Sequence, residues 1–319
     1  MKLLLALLFL STVVHPGWAQ IDYPETVLAN KRVTLRIYLP DAATGFYRGT
    51  RFDWSGVIGS ATCDGHVFFE PWRLPHDATG HDSIAGPAGE FGMATPLGYA
   101  EANVGETFIK IGVGHLEKPL EKEYSFGRGY RIAAPGSWTV NHAEGAITFE
   151  QSLTDPRGWG YRLTKRIALT PAGFTLGHIL ANTGTRRIST DHYCHNFVRI
   201  DGHPIGPAYR LHFPFEVAAS VARPVPPLIA GRVLTMPSFT GSFFAELAGY
   251  AEKSGHGVTV EHAPSGLAVS IRGDRPVAKF NLYAESTAVC PEPFVRLEIE
   301  PGKEAAWKVE YEFEVPGAR

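Results

Sequence analysis

A short segment with two histidines holds the first residues that could do acid–base chemistry. It runs from Asp191 to Gly202. If it forms a strand, Tyr193 and His195 point to one face, and His192 and Asn196 point to the other, so both histidines line one pocket only if the strand bulges. A histidine flanked by aromatic residues suits sugar binding, because aromatic rings pack on the apolar faces of pyranoses. The alternative is a core histidine satisfied by hydrogen bonds.

A glutamate between two prolines is the second candidate. Glu292 lies between Pro291 and Pro293. Proline fixes φ and removes a backbone donor, so the carboxylate is held on a stiff backbone. With Phe294 and Cys290 beside it, such a carboxylate could serve as a general base. The alternative is a loop glutamate that faces solvent.

Two earlier stretches could bind sugar hydroxyls. In the segment 47–56, Arg51 and Asp53 would share a strand face, and such pairs chelate neighbouring hydroxyls; the alternative is a structural ion pair. The segment 72–98 lacks periodicity, and a loop of this length is usually functional. It contributes His81 and Glu90 as candidate substrate contacts. Its histidines and aspartates lack the spacing of a defined metal-ligand set, so no metal is predicted.

The first nineteen residues have the order of a secretory signal. Lys2 precedes the apolar stretch 3–10, and Ala19 offers a small residue for cleavage before Gln20. This order predicts a signal peptide at 1–19 and a periplasmic or secreted product with no membrane attachment after cleavage. An uncleaved anchor is the alternative, although the apolar stretch is short for a bilayer span.

The remaining residues, 20–319, predict one β-rich domain. Apolar residues make up 44% of the chain, charged residues 19%, and the net charge is −2, with no basic stripe for nucleic acid. Period-2 alternation, as in 32–39, marks strands throughout. The best candidate for a short helix, 239–253, is weakened by two glycines. The low, odd count of three cysteines argues against a disulfide scaffold. Further strands are predicted at 107–113, 146–153, 161–169, 173–181, 266–271, 278–284, 295–300 and 306–315.

The sequence resembles the galactose mutarotase-like superfamily, which includes aldose 1-epimerases and hexose-phosphate mutarotases. The resemblance is carried by Ser55-Gly56-Val57-Ile58-Gly59-Ser60 with Asp64-Gly65-His66, by His195-Asn196-Phe197-Val198, and by Val289-Cys290-Pro291-Glu292-Pro293 with the later Pro301-Gly302 turn. It implies a large antiparallel β-supersandwich. The family's early Asn-Arg pair has no clean match, and Arg51 is only a substitute for it.

The resemblance also implies a reaction, the interconversion of sugar anomers. Glu292 would be the base and His195 the acid, with His192 as a rival for the acid. Arg51, Asp53, Tyr193 and Asn196 would hold hydroxyls, and no cofactor would be needed. Two alternatives remain open: a non-catalytic carbohydrate-binding protein, and a polysaccharide lyase-like or metal-assisted enzyme that uses the His-Asp loop. The partner would be a mono- or oligosaccharide substrate; which sugar it is, and the oligomeric state of the protein, are left open.

Overall fold

The computed structural model describes residues 22–251 and 255–317. The predicted signal peptide, 1–19, lies outside these ranges. Regular structure within them consists of strands alone, so no described helix could cross a membrane. The first twelve strands are β1 (Glu25–Ala29), β2 (Val33–Tyr38), β3 (Val57–Cys63), β4 (His66–Phe69), β5 (Ala88–Phe91), β6 (Thr107–Lys110), β7 (Gly114–Glu117), β8 (Ile132–Pro135), β9 (Thr139–Ala143), β10 (Ala146–Thr154), β11 (Gly160–Thr170) and β12 (Gly173–Asn182).

The second half of the chain continues in the same way. Its strands are β13 (Ile188–His195), β14 (Tyr209–His212), β15 (Ala218–Arg223), β16 (Leu228–Ala230), β17 (Val233–Thr235), β18 (Phe243–Ala248), β19 (His256–His262), β20 (Leu267–Gly273), β21 (Lys279–Glu285), β22 (Ala288–Ile299) and β23 (Glu304–Glu314). The all-β prediction is therefore confirmed. The weak helix candidate at 239–253 is not borne out: its centre forms β18, because Phe243, Ala245 and Leu247 alternate as buried residues.

The strands of the described residues form four antiparallel sheets. Their orders are β1-β2-β3-β4, β16-β17-β14-β19-β20-β23-β12-β11-β10-β9, β15-β18-β21-β22-β13-β5 and β6-β7-β8. Local turns connect many neighbours. Between β3 and β4, Asp64 and Gly65 both have positive φ, at 50° and 86°, which is the backbone that a two-residue hairpin requires.

The six-stranded sheet, β15-β18-β21-β22-β13-β5, has two different faces. Phe280, Leu282 and Val289 lie in one hydrophobic core with Val269 and Tyr311 of the ten-stranded sheet. Because strand side chains alternate between faces, the intervening residues point away from that core. This second face is the one that carries the polar cavity.

The three cysteines, Cys63, Cys194 and Cys290, are buried. None forms a disulfide among the residues that the structure describes. The described part of the fold is therefore held together by its hydrophobic clusters.

Candidate active site

The site is built at the contact between β13 and β22. These strands pair with one register, from Ile188↔Ile299 to His192↔Val295. Farther along, Val198 and Val289 exchange both backbone hydrogen bonds in the same register. The register places His195 opposite Glu292, and residues directly opposite each other in an antiparallel pair point to the same face.

Two prolines interrupt the ladder between these paired ends. Val289 and Val295 direct their backbone groups to β13, so Pro291 and Pro293, at alternate positions between them, have their ring nitrogens on that side. Neither nitrogen carries a hydrogen, and the regular ladder of β13 ends at His192↔Val295. The side-chain amide of Asn196 replaces one lost interaction by donating to the Pro291 carbonyl at 2.5 Å. The catalytic candidates therefore stand at a gap in a sheet that is otherwise continuous.

His195 and Glu292 contact each other across this gap. The distance from His195 Nε2 to Glu292 Oε1 is 3.0 Å, and both side chains are buried. The imidazole stacks on the ring of Phe197 with a centroid distance of 3.9 Å. Its Nδ1 is buried without a hydrogen-bond partner among the described residues. Stacking fixes the ring so that Nε2 faces the carboxylate.

A cavity of about 400 Å³ opens above this pair. Its walls combine aromatic and polar side chains, as expected of a small-molecule site. The lining residues are Arg51, Trp72, His81, Asp82, Met93, Phe126, His195, Phe197, Arg223, Ser242, Phe244, Lys279, Asn281, Tyr283 and Glu292. Of the predicted site residues, the structure thus brings together Glu292, His195, Arg51 and His81.

Arg51 is held in the cavity wall by a buried charge network. Its Nε donates to Glu90 Oε2 at 2.8 Å, and a terminal nitrogen donates to the Tyr193 hydroxyl at 2.8 Å. Tyr193 donates to the same Glu90 oxygen at 2.6 Å, and Lys110 Nζ lies 3.1 Å from the other oxygen. Burial acts against the charge of Arg51, but Tyr193 and Glu90 outweigh it and raise the arginine pKa.

Glu90 and Tyr193 therefore lie behind the cavity and not in its lining. Their predicted role as direct substrate contacts is corrected to a positioning role, since their polar atoms face Arg51 and Lys110. The sequence did not indicate that Glu90 would also form an ion pair with a lysine, because Lys110 belongs to a different sheet.

Asp53 lies elsewhere and is not a cavity residue. Segment 51–55 is irregular and not a strand, so Arg51 and Asp53 do not share a face. The Asp53 carboxylate accepts hydrogen bonds from the Ser55 hydroxyl at 2.5 Å and from Lys165 at 3.4 Å. Lys165 belongs to the ten-stranded sheet, and the predicted sugar contact is thus a buried ion pair in the interior.

Asn196 and His192 face the ten-stranded sheet. The Asn196 carbonyl accepts a hydrogen bond from the Tyr311 hydroxyl at 2.8 Å, so its amide joins two sheets instead of lining the cavity. His192 Nδ1 accepts from the Trp307 indole at 3.2 Å. Burial, reinforced by the nearby charge of Lys165, lowers the pKa of His192 to about 3. Of these two histidines, only His195 faces the cavity.

The long polar loop is divided between different environments. His81 lines the cavity, whereas His76 stacks on Phe46 at a centroid distance of 3.9 Å and its Nε2 contacts the Phe46 carbonyl. Asp77 caps its own turn. Among residues 22–251 and 255–317, no three His, Cys, Asp or Glu side chains are grouped as a metal site.

Sequence reasoning missed Asn281, which lies directly opposite Glu292 on β21. Its side chain lines the cavity, is 3% exposed, and has a carbonyl oxygen with no partner among the described residues. A buried polar atom without a partner is unusual. The local sequence gave no indication that Asn281 belongs to a site, because its neighbours have the pattern of an ordinary strand.

Comparisons with known proteins identify the fold. No protein-family model and no curated protein sequence matches the chain. Solved structures do: the GalM/aldose epimerase homologue from C. elegans matches with a TM-score of 0.57 and 12% identity, over 92% of this chain and 99% of that one. A galactose mutarotase-like protein from Clostridium acetobutylicum matches with a TM-score of 0.55 and 11% identity, over 91% of this chain and 94% of that one.

A galactose mutarotase related enzyme from Lactobacillus acidophilus gives a TM-score of 0.54 and 11% identity, over 92% of this chain and 99% of that chain. The matches extend over nearly the whole of each protein, while identity is low. The chain therefore has the galactose mutarotase-like fold, as the short motifs predicted.

Proposed function

We propose that this protein is an aldose 1-epimerase-like isomerase that interconverts the anomers of a free sugar. The observation that carries the proposal is the 3.0 Å contact between His195 Nε2 and Glu292 Oε1 in the wall of a cavity lined by aromatic and polar side chains. The similar structures described above are named as epimerase or mutarotase relatives, which supports the same reaction class.

The geometry suits anomer exchange because the reaction moves protons at two oxygens of one carbon. Glu292 takes the proton from the anomeric hydroxyl while protonated His195 gives one to the ring oxygen. The C1–ring oxygen bond breaks and the free aldehyde forms. Rotation about C1–C2 and the reverse proton transfers close the ring as the other anomer. Two catalytic atoms in mutual contact can reach both oxygens of one carbon once the sugar enters between them.

Other cavity residues would bind and orient the sugar. Arg51 presents a guanidinium fixed by Glu90 and Tyr193, and the free carbonyl oxygen of Asn281 can accept a hydroxyl hydrogen bond beside the base. Phe197 and Trp72, stacked at a centroid distance of 4.8 Å, offer an apolar wall. Both proton transfers use side chains, so the scheme requires no cofactor. With export from the predicted signal, free or glycan-derived sugars would be the substrates.

Glu292→Gln tests the base. The amide keeps the shape of the side chain but cannot accept the proton, and general base catalysis contributes about 10²–10⁴-fold. We expect the rate of mutarotation, followed by polarimetry on freshly dissolved sugars, to fall by that factor. Sugar affinity, measured by calorimetry, should change far less.

Glu298→Gln is the matched control. Glu298 lies on the same strand as Glu292, but its exposed side chain bonds to Arg296 outside the cavity. Its variant should keep the wild-type rate. A wild type that binds sugars without speeding their mutarotation would instead make the protein a carbohydrate-binding module, and an equal rate for Glu292→Gln would remove Glu292 as the base.

A further inference from the structure

The cavity continues as a groove beyond the catalytic pair. Across the six-stranded sheet, Arg223 lies opposite Phe244, Phe244 opposite Tyr283, and Tyr283 opposite Cys290. Residues paired in this way share one face, and Arg223, Phe244 and Tyr283 line the same cavity as Glu292. We define the outer groove as the part formed by Arg223 and Phe244.

The groove is longer than one sugar ring. From β22 to β15 the sheet crosses β21 and β18, and three strand spacings amount to about 14 Å. A single pyranose ring is shorter than this distance. A monosaccharide held between His195 and Glu292 therefore leaves the outer groove without an occupant.

The two ends of the groove differ in their exposure to solvent. At the inner end, buried Arg51 is fixed by buried Glu90 and covered by Phe126, whose ring centroid lies 4.5 Å from the guanidinium carbon. At the outer end, β15 is an edge strand, and its Val221 is 41% exposed. A chain attached to the bound sugar therefore has an exposed path over β18 and β15.

The outer groove has side chains suited to a second sugar. Phe244 is half-buried, so part of its ring is available to the apolar face of a pyranose. The Arg223 guanidinium lies 4.8 Å from the Phe244 ring centroid and is exposed, with several donors for hydroxyl oxygens. An aromatic ring beside a multiple donor matches the mixed apolar and polar surface of a sugar.

From this geometry we infer that the substrate is an oligosaccharide whose reducing-end unit occupies the catalytic cavity and whose next unit lies on Phe244 and Arg223. The reducing end is the unit that carries a free anomeric hydroxyl, so it must meet Glu292. The inference rests on the proposed function for that orientation.

The test compares monosaccharides with matched disaccharides. Calorimetry would give the affinity of the full-length mature protein for glucose, maltose and cellobiose, and for galactose and β-1,4-galactobiose. Polarimetry would give the mutarotation rates of the same sugars. We expect at least one disaccharide to bind about tenfold more tightly than its monosaccharide, as the loss or gain of a charge-assisted hydrogen bond implies.

Variants locate the second unit. Arg223→Ala and Phe244→Leu should each remove most of this preference for the disaccharide while leaving monosaccharide affinity within about twofold, a difference of a few tenths of a kcal/mol. Phe244→Leu keeps apolar bulk in the sheet, so it tests the flat ring and not folding. Arg272→Ala, an exposed arginine paired with Glu312 on the other large sheet, is the control.

The outcomes separate the two proposals. A disaccharide preference that both variants abolish, with no mutarotation by the wild type, supports the groove and overturns the proposed activity. Mutarotation with equal affinity for mono- and disaccharides, or a preference that both variants retain, overturns the groove and leaves the activity intact. Failure of all five sugars to bind overturns the groove as well.

Discussion

Replacing the buried carboxylate behind the site, Glu90→Gln, should cost both stability and substrate binding. The Glu90 side chain is 0% exposed and lies between Arg51 and Lys110, at 2.8 and 3.1 Å. The neutral amide leaves two buried cations without a counter-charge and turns a donor toward one of them. Removing one partner from a buried ion pair costs about 3–5 kcal/mol. We expect the free energy of unfolding to fall by that amount.

Urea denaturation followed by tryptophan fluorescence measures this change through the shift of the midpoint. Lys110→Met in the Glu90→Gln background removes one stranded cation, so the double variant should be less destabilised than the sum of the single variants. Because Arg51 loses its anchor, the KM for sugar should rise in Glu90→Gln. A loss below about 1 kcal/mol, the range of a surface pair, would refute the buried-network interpretation.

Lowering the pH should reduce the stability that this charge network contributes. Burial alone would raise the pKa of Glu90, but the charges of Lys110 and Arg51 and the Tyr193 hydrogen bond outweigh it and hold the pKa below its ordinary 4.5. A depressed carboxyl pKa contributes stability that is present above the unfolded value and lost as pH falls through the folded one. The stability difference between wild type and Glu90→Gln should therefore narrow below about pH 4.5. A constant difference down to about pH 3 would contradict this reasoning.

Three further outcomes follow from the geometry. His192→Asn should lose about 1 kcal/mol of stability with its Trp307 hydrogen bond yet keep the mutarotation rate, and a large rate loss would reopen His192 as the acid. Pro293→Ala should restore a backbone donor toward β13 and lower the rate, while the unfolding free energy changes by less than about 1 kcal/mol because the added hydrogen bond and the lost ring rigidity offset each other. The buried cysteines should resist thiol reagents in the native protein and react on unfolding, and fast labelling of the native protein would contradict their burial.

The strands were predictable because their signal is local. Alternation in 32–39 predicted β2 within a residue or two at each end, and the same rule placed Tyr193 and His195 on one face and His192 on the other. Alternation assigns a side chain to a face without any knowledge of neighbouring strands. It fails where the backbone is irregular, which is why Arg51 and Asp53 were wrongly placed together.

Which residues pack against each face of a strand depends on the order of the strands in the sheets. The local sequence pattern does not contain this order. Asn196 was expected at the substrate, but its face packs on Tyr311 of a strand more than a hundred residues later. Glu90 was expected in a loop, but it forms part of β5 opposite Tyr193. Such partners arise from long-range pairing, so charge networks of this kind appear only when the sheets are assembled.

The segment Pro291-Glu292-Pro293 shows how a local sequence feature can affect the pairing with a strand that is distant in sequence. Pro291 and Pro293 were visible in the sequence as stiffening residues, but stiffness alone does not explain their spacing. In the sheet, alternate residues direct their amides to the same neighbour, so two prolines separated by one residue remove consecutive donors toward β13. The residue between them keeps its amide toward β21 and its side chain on the cavity face. Proline-Glu-proline thus opens the sheet on one side of the glutamate only, beside the histidine that the register places opposite it.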